Sequence, residues 1–174
     1  MMIWKLLIGG EGGVGKTAII KRYVNNVFEI DTKMTIGVAF VFQDVQFGGN
    51  TARLQIWDLG GQDRFRFVLP SYCKGGNGAF ILYDTSNLET LESTCSWFDM
   101  IEKAAPGVPI LLVGTKFDLL ASDEEANAVN EAASAVAAKH GCIGSVITSS
   151  KLGINVNDAM NAMISHLFAI NGVA

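Results

Sequence analysis

The chain has 174 residues, 49% hydrophobic and 17% charged, with a net charge of −4. This composition excludes a disordered chain and fits one packed domain over residues 1–174; with no Lys/Arg cluster, the acidic balance argues against nucleic acid or an anionic membrane as partner. Cys73, Cys95 and Cys142 have neither disulfide nor zinc spacing, and read as reduced, buried thiols of a cytoplasmic protein.

Ile3-Trp4-Lys5-Leu6-Leu7-Ile8 is too short for a signal peptide or a membrane span and predicts a strand over 3–9, followed by a helix over 17–25. Strands over 38–47 and 53–58 flank Gly48-Gly49-Asn50, a hairpin turn that makes one strand antiparallel. Alternation along the second of them puts Leu54, Ile56 and Asp58 on one face, so Asp58 ends the strand pointing with core residues. Continuous apolar runs over 79–83 and 109–113 predict strands buried on both faces. Between them Ser86-Asn87-Leu88-Glu89 has capping-box spacing, opening a helix that ends before Pro106 and packs Leu88, Leu91, Cys95 and Phe98. Ser122 and Glu125 repeat that spacing before an Ala-rich helix running toward Lys139. Residues 145–148 read as a sixth strand and 155–170 as a closing helix, with Val156, Met160, Met163, Ile164 and Leu167 at core spacing. The alternation of strands and helices predicts an α/β fold: a six-stranded, mostly parallel sheet with helices on both faces. In such sheets ligands lie beyond the carboxyl ends of the strands.

Gly10-Glu11-Gly12-Gly13-Val14-Gly15-Lys16-Thr17 matches G-x-x-x-x-G-K-[ST] between a predicted strand and a predicted helix. Glycines let backbone N–H groups converge on phosphate oxygens, and the helix start adds partial positive charge. The candidate phosphate-binding residues are Gly12, Gly13, Val14 and Gly15 in the loop, then Lys16, Thr17 and Ala18 at the helix start. Lys16 can reach β- and γ-phosphates, and the Thr17 hydroxyl can ligate Mg²⁺. The loop alone chooses neither between adenine and guanine nor among kinases, ATPases and GTPases.

Four further segments stand out: Thr35-Ile36-Gly37, Trp57-Asp58-Leu59-Gly60-Gly61-Gln62, Thr115-Lys116-Phe117-Asp118 and Ser149-Ser150-Lys151. Asp58, at a core-facing strand end, is a costly unpaired carboxylate unless a cation lies near it or it caps the next turn. Asp118 can accept two hydrogen bonds side by side, matching N1–H and the 2-amine of guanine; adenine has neither donor. Its plainer alternative is a turn-capping aspartate. Lys116 can lay its aliphatic stem over a base plane.

With these five motifs in order and spacing, the chain resembles the Ras superfamily of small GTPases, most closely its Rab-like members, from first strand to last helix. The resemblance implies a P-loop NTPase G domain that binds GTP or GDP with Mg²⁺ and hydrolyses GTP. Residues 26–37 would be switch I, with the Thr35 hydroxyl joining Thr17 and a water-bridged Asp58 around Mg²⁺ only while a γ-phosphate is present. The Gly61 N–H would bind that phosphate and Gln62 would orient the attacking water, which makes Lys16, Thr35, Gly61 and Gln62 the candidate catalytic residues. Base binding would fall to Thr115, Lys116, Asp118, Ser149, Ser150 and Lys151, with the Ser150 N–H on guanine O6. Phe28 would set its edge on the base, or else pack as a hydrophobic anchor of its loop. The family also implies a monomer with effector, exchange-factor and GTPase-activating partners at its switch regions. Unassisted Ras turns over at roughly 10⁻⁴–10⁻³ s⁻¹, and an arginine supplied in trans accelerates it by about 10³-fold or more. Arg64 and Arg66 lie in switch II, and neither is an obvious internal finger.

Several positions depart from the pattern. Thr115 stands where most of the family has Asn, as in Rho-type members, and Ser150 replaces Ala. Leu59-Gly60 resembles Arf-type and septation-type GTPases. Thr32 replaces a common Tyr, implying a looser lid over the γ-phosphate. The chain ends Asn171-Gly172-Val173-Ala174 without a cysteine, so no prenyl anchor is expected in it. Two other readings stay open: a GTP-binding scaffold with negligible hydrolysis, and a P-loop kinase or ATPase, which Asp118 and the Gly-Gly-Gln segment disfavour.

Overall fold

Six strands form one sheet in the order β2-β3-β1-β4-β5-β6. They are β1 (Met2–Gly9), β2 (Val38–Phe47), β3 (Asn50–Leu59), β4 (Gly78–Asp84), β5 (Ile110–Thr115) and β6 (Gly144–Ile147). The computed structural model describes residues 1–30 and 33–172. β2 pairs antiparallel with β3, and the other four pairs are parallel. The predicted hairpin is a two-residue turn that sets Phe47 opposite Asn50, with Gly48 and Gly49 at φ 54° and 80°. Both need positive φ, as a type I′ turn demands and glycine alone supplies freely.

The two-residue period of the strands sorts the core into two layers. Leu6, Ile8, Leu54, Ile56, Phe80 and Leu82 meet α1 (Lys16–Asn25) and α6 (Val156–Ile170) on one face. Leu7, Leu59, Ala79, Ile81, Tyr83 and Leu112 meet α2 (Leu69–Cys73), α3 (Glu89–Glu92), α4 (Thr94–Ala104) and α5 (Asp123–Lys139) on the other. Helices therefore cover both faces, as the sequence predicts. The α6 stripe of Val156, Met160, Met163, Ile164 and Leu167 is buried throughout, each side chain worth roughly 1.5–3 kcal/mol of burial. Among the described residues no helix is long and apolar enough to cross a membrane.

One predicted capping box forms and one does not. Ser122 Oγ accepts the Glu125 N–H at 3.2 Å, and the Glu125 carboxylate returns to the Ala121 N–H at 2.7 Å, fixing the start of α5. Ser86 instead donates its hydroxyl to Asp84 Oδ1 at 2.6 Å, and the expected single helix is split at Ser93 into α3 and α4. Asp84 ends a buried strand, and a buried carboxylate loses more without donors than a helix start loses without a cap. Ahead of α3, Asn87 Oδ1 accepts the Glu89 N–H at 3.2 Å, while the N-cap residue Leu88 offers no side-chain cap.

The apolar stripe of this segment is also rotated from the prediction. Leu91, Thr94, Trp97, Phe98 and Ile101 are buried, whereas Leu88 and Cys95 are exposed. Trp97 decides the rotation: its indole seats against β1 so closely that a Cβ on Gly9 would lie 2.7 Å from it. Of the three thiols expected to be buried, only Cys73 is fully so, with Cys142 half-buried. Burial pushes Cys73 and Cys142 up to about 11, which keeps both protonated and unreactive. β6 ends one residue early, and Thr148 beyond it donates its hydroxyl to the Gly114 carbonyl at 2.9 Å.

Candidate functional site

The loops after β1, β3, β5 and β6 converge at the carboxyl edge of the sheet around a cleft of about 410 Å³, a size ordinary for a small-molecule site. Gly12, Gly13, Gly15, Lys16, Thr17 and Ala18 line one end of it; Lys116, Asp118, Leu119, Ser150 and Lys151 line the other. Phe28, Met34, Thr35, Gly61 and Thr115 also face it. Val14, Asp58, Gln62 and Ser149 do not, although the sequence reading assigns each to the site.

At the phosphate-loop end, Lys16 is buried as the first residue of α1, and its ammonium donates to the Gly10 and Glu11 carbonyls at 2.7 Å each. Burial lowers its pKa to about 8 against the opposing pull of Asp58 and Glu11. Gly13 and Gly15 hold φ at 80° and 100°, a region closed to ordinary side chains, which bends the loop around the ammonium. Val14 buries its side chain in the core, and its carbonyl accepts the Thr115 hydroxyl, which also lies 3.0 Å from the Tyr83 carbonyl. Thr115 thus ties the phosphate loop to the ends of β4 and β5.

Beside it, three oxygens from distant parts of the chain meet. Thr17 Oγ1 donates to Asp58 Oδ2 at 2.5 Å, Thr35 Oγ1 lies 3.0 Å from the same oxygen, and the two hydroxyls are 2.8 Å apart. Asp58 is 5% exposed, and its other oxygen, Oδ1, is buried without a partner. An orphaned carboxylate oxygen in such a place is expensive. An oxygen-only set with one free carboxylate oxygen fits Mg²⁺ by donor chemistry.

At the far end, Lys116 adopts φ 59°, turning the chain so that Phe117–Leu119 form a short 3-10 turn. Asp118 is half-buried there, and its Oδ1 accepts the Ser149 hydroxyl at 2.6 Å. Ser149 is completely buried, so its place is behind Asp118 and not in the cleft wall. Lys116 pairs its ammonium with Asp84 Oδ2 at 2.6 Å, which lays its stem along the cleft. Arg22 of α1 closes the back of the Ser150 loop, donating to the Ser150 and Lys151 carbonyls at 2.5 and 2.9 Å. The sequence reading missed both supports. Asp84 was findable, since it closes an apolar strand as Asp58 does; Arg22 carries no local signal, because its partners are 128 and 129 residues away.

Gly60 and Gly61 pack hard against the loops around them. The Gly60 N–H donates to the Gly37 carbonyl at 2.7 Å. A Cβ on Gly61 would collide with Gly12 N and stand 2.6 Å from Lys16 Nζ. Gln62 follows, with its Oε1 accepting Arg64 Nε at 2.7 Å and its Nε2 donating to Met34 Sδ at 3.5 Å. Arg66 is held by the Glu11 carboxylate and by Ser96 Oγ at 2.7 Å, with its guanidinium 4.8 Å above the Trp97 ring. It does not line the cleft. Thr32, expected at the lid, lies outside the described residues, as do Val173 and Ala174 at the end of the chain.

Comparison with known proteins agrees with this geometry. The Ras family matches residues 5–169. The chain is 33% identical over 172 residues to Ras-related protein Rab-19 of Mus musculus, covering 98% of this chain and 78% of that protein. It is 33% identical over 173 residues to Ras-related protein RGP2 of Oryza sativa subsp. japonica, covering 97% and 76%. To Ras-related protein Rab-13 of Mesocricetus auratus it is 34% identical over 171 residues, covering 98% and 82%. With the Gly12–Ala18 loop, Thr35, Gly61 and Asp118 gathered around one cleft, the chain belongs to the Ras family as a Rab-like small GTPase, a GTP-binding and GTP-hydrolysing switch.

Proposed function

We propose that residues 1–174 are a single switch domain that binds GTP and GDP with Mg²⁺ and hydrolyses GTP slowly until an activating partner assists. The observation that carries this reading is the pairing of the two cleft ends: a polyphosphate cradle at Gly12–Thr17 and, opposite it, an Asp118 carboxylate braced by Ser149. A guanine base satisfies that carboxylate with two donors, and adenine leaves it without either. The Ser150 N–H reads O6, and the Lys116 stem and Phe28 flank the base.

Lys16 and the N–H groups of the phosphate loop and Gly61 hold the γ-phosphate and stabilise charge that grows on its oxygens during transfer. Gln62, once turned to the cleft, orients the water that attacks phosphorus in line with the departing diphosphate oxygen. Thr17, Thr35 and, through water, Asp58 would hold Mg²⁺, which neutralises charge shared by the β- and γ-phosphates. Loss of the γ-phosphate releases Thr35, and the segment it tethers, from that arrangement.

Partners would read this state from the exposed aromatic face beside the switches. Phe40 stacks on Trp57 at 5.0 Å, and Tyr72 sits 6.1 Å from Trp57. Phe40 is 52% exposed and Tyr72 41%, so both side chains are open to an effector, exchange factor or activator. We place the protein in the cytoplasm as a monomer without a nucleic-acid partner.

Chromatography of the nucleotide released on denaturing freshly purified protein tests the reading. GDP or GTP is expected; ADP or ATP would replace it with the ATPase reading. A second reading, a GTP-binding scaffold with negligible hydrolysis, is favoured by one observation: Gln62 is bonded to Arg64 and Met34 and not turned to the cleft. A GTP hydrolysis time course separates the two.

A further inference from the structure

We propose that Arg64 and Met34 are positioning residues that park Gln62, so that this chain's own switch segments hold its unassisted hydrolysis below what Gln62 can deliver. The proposal rests on the GTPase mechanism above and adds a restraint to it.

Both ends of the Gln62 carboxamide are engaged. Its oxygen accepts from Arg64 Nε at 2.7 Å, and its nitrogen donates to Met34 Sδ at 3.5 Å. Gln62 can orient a water only if its oxygen is free to accept from that water and its nitrogen is free to donate toward phosphate. The Arg64 bond is charge-assisted and is the stronger of the two; the thioether is a weak acceptor. Arg64 also has a seat of its own, since the 3-10 turn Asp63–Phe65 brings its guanidinium 4.7 Å over the Phe65 ring.

The contribution of Met34 is mainly steric. Its terminal methyl lies 2.9 Å from where a Cβ on Gly12 would stand, so it fills the gap between the phosphate loop and Gln62. Met34, Thr35, Gly12 and Gly61 all line the cleft, while Gln62 stands behind Met34 and does not. A water touching both Gln62 and a phosphate held at Gly12 and Gly61 needs the volume that the methyl occupies. An activating partner then has a defined task here: to offer Arg64 an acidic acceptor and so release Gln62.

Single-turnover hydrolysis of GTP by the full chain tests this, using Arg64→Ala, Met34→Ala, Gln62→Leu and the two doubles with Gln62→Leu. Arg64→Ala and Met34→Ala should each raise the rate roughly 3- to 10-fold, the scale of losing one modest restraint. In the Gln62→Leu background the same substitutions should change nothing, which a merely structural role would not produce. If Gln62→Leu slows hydrolysis while Arg64→Ala and Met34→Ala leave it unchanged or slower, parking is overturned and the GTPase mechanism stands. Acceleration that persists in the doubles also overturns it, because the effect would not pass through Gln62. If Gln62→Leu hydrolyses as fast as the unsubstituted chain, the assigned role of Gln62 fails and parking fails with it.

Discussion

Replacing Asp118 by alanine should separate the proposed guanine recognition from phosphate binding. Asp118 stands at the cleft end opposite the phosphate loop, and Ser149 occupies only one acceptor position of its carboxylate. Two charge-assisted hydrogen bonds to guanine therefore remain available. At about 1.5–3 kcal/mol each they sum to roughly 3–6 kcal/mol, or a loss of about 10²- to 10⁴-fold in GDP affinity. ADP affinity, which uses the phosphate cradle alone, should change by less than about threefold, so the preference for guanine collapses. The fold should survive, because Asp118 is half-buried on a short turn and its removal frees only the Ser149 hydroxyl. Losing that bond costs about 1 kcal/mol, a fall in Tm of roughly 2–4 °C. Fluorescent GDP and ADP titrations with a thermal melt measure all three quantities. A variant that keeps GDP affinity within about fivefold and still rejects ADP would refute the assignment of Asp118 to the base.

Three other outcomes follow from the same geometry. Asp58→Asn keeps the shape but removes the charge beside Thr17 and Thr35, so the Mg²⁺ affinity of the nucleotide complex should drop roughly 10- to 100-fold; a Mg²⁺ titration of GDP release reads this, and an unchanged midpoint contradicts it. Burial lowers Lys16 to about 8 from 10.5 in the free chain, and bound phosphates raise it again, so binding takes up a proton above that pH. GDP affinity should be flat below pH 8 and fall by up to about tenfold per unit above it; the stability of the free chain shifts oppositely, rising between pH 8 and 10.5 because the unfolded chain keeps its proton longer. Titrations from pH 7 to 9 test the affinity limb, and a flat profile refutes it. Finally, Met163 is fully buried, and its sulfur lies 2.7 Å from where a Cβ on Gly78 would stand. Met163→Ala should destabilise the chain by about 2–5 kcal/mol in urea unfolding, with GDP affinity retained.

Much of this protein was legible along the chain because the relevant physics is local. A strand buried on both faces must be continuously apolar, as Phe80–Leu82 and Leu111–Val113 are. A two-residue hairpin needs two residues tolerant of positive φ, and Gly48-Gly49 supplies them. The phosphate loop, Asp58 at its strand end and Asp118 after an apolar run were each readable from a few neighbouring residues. That the phosphate loop and Asp118 share one cleft followed from the rule that loops at the carboxyl edge of a parallel sheet meet.

What only the tertiary structure decided depends on distances between segments that no local pattern encodes. Thr17, Thr35 and Asp58 come from three elements, and whether their oxygens share one site depends on sheet order and on the path of the connecting loop. The sequence points to a stripe of Leu88, Leu91, Cys95 and Phe98, but the buried one runs through Leu91, Thr94, Trp97, Phe98 and Ile101, with Trp97 seated against Gly9. Ser86 looked like a cap until the buried Asp84 carboxylate claimed its hydroxyl. Gln62 is the sharpest case. Its place after Gly60-Gly61 carries the hydrolytic role proposed for it, but its carboxamide is bonded to Arg64 on the next turn and to Met34 on another loop, since a polar group takes whichever partners packing brings within reach.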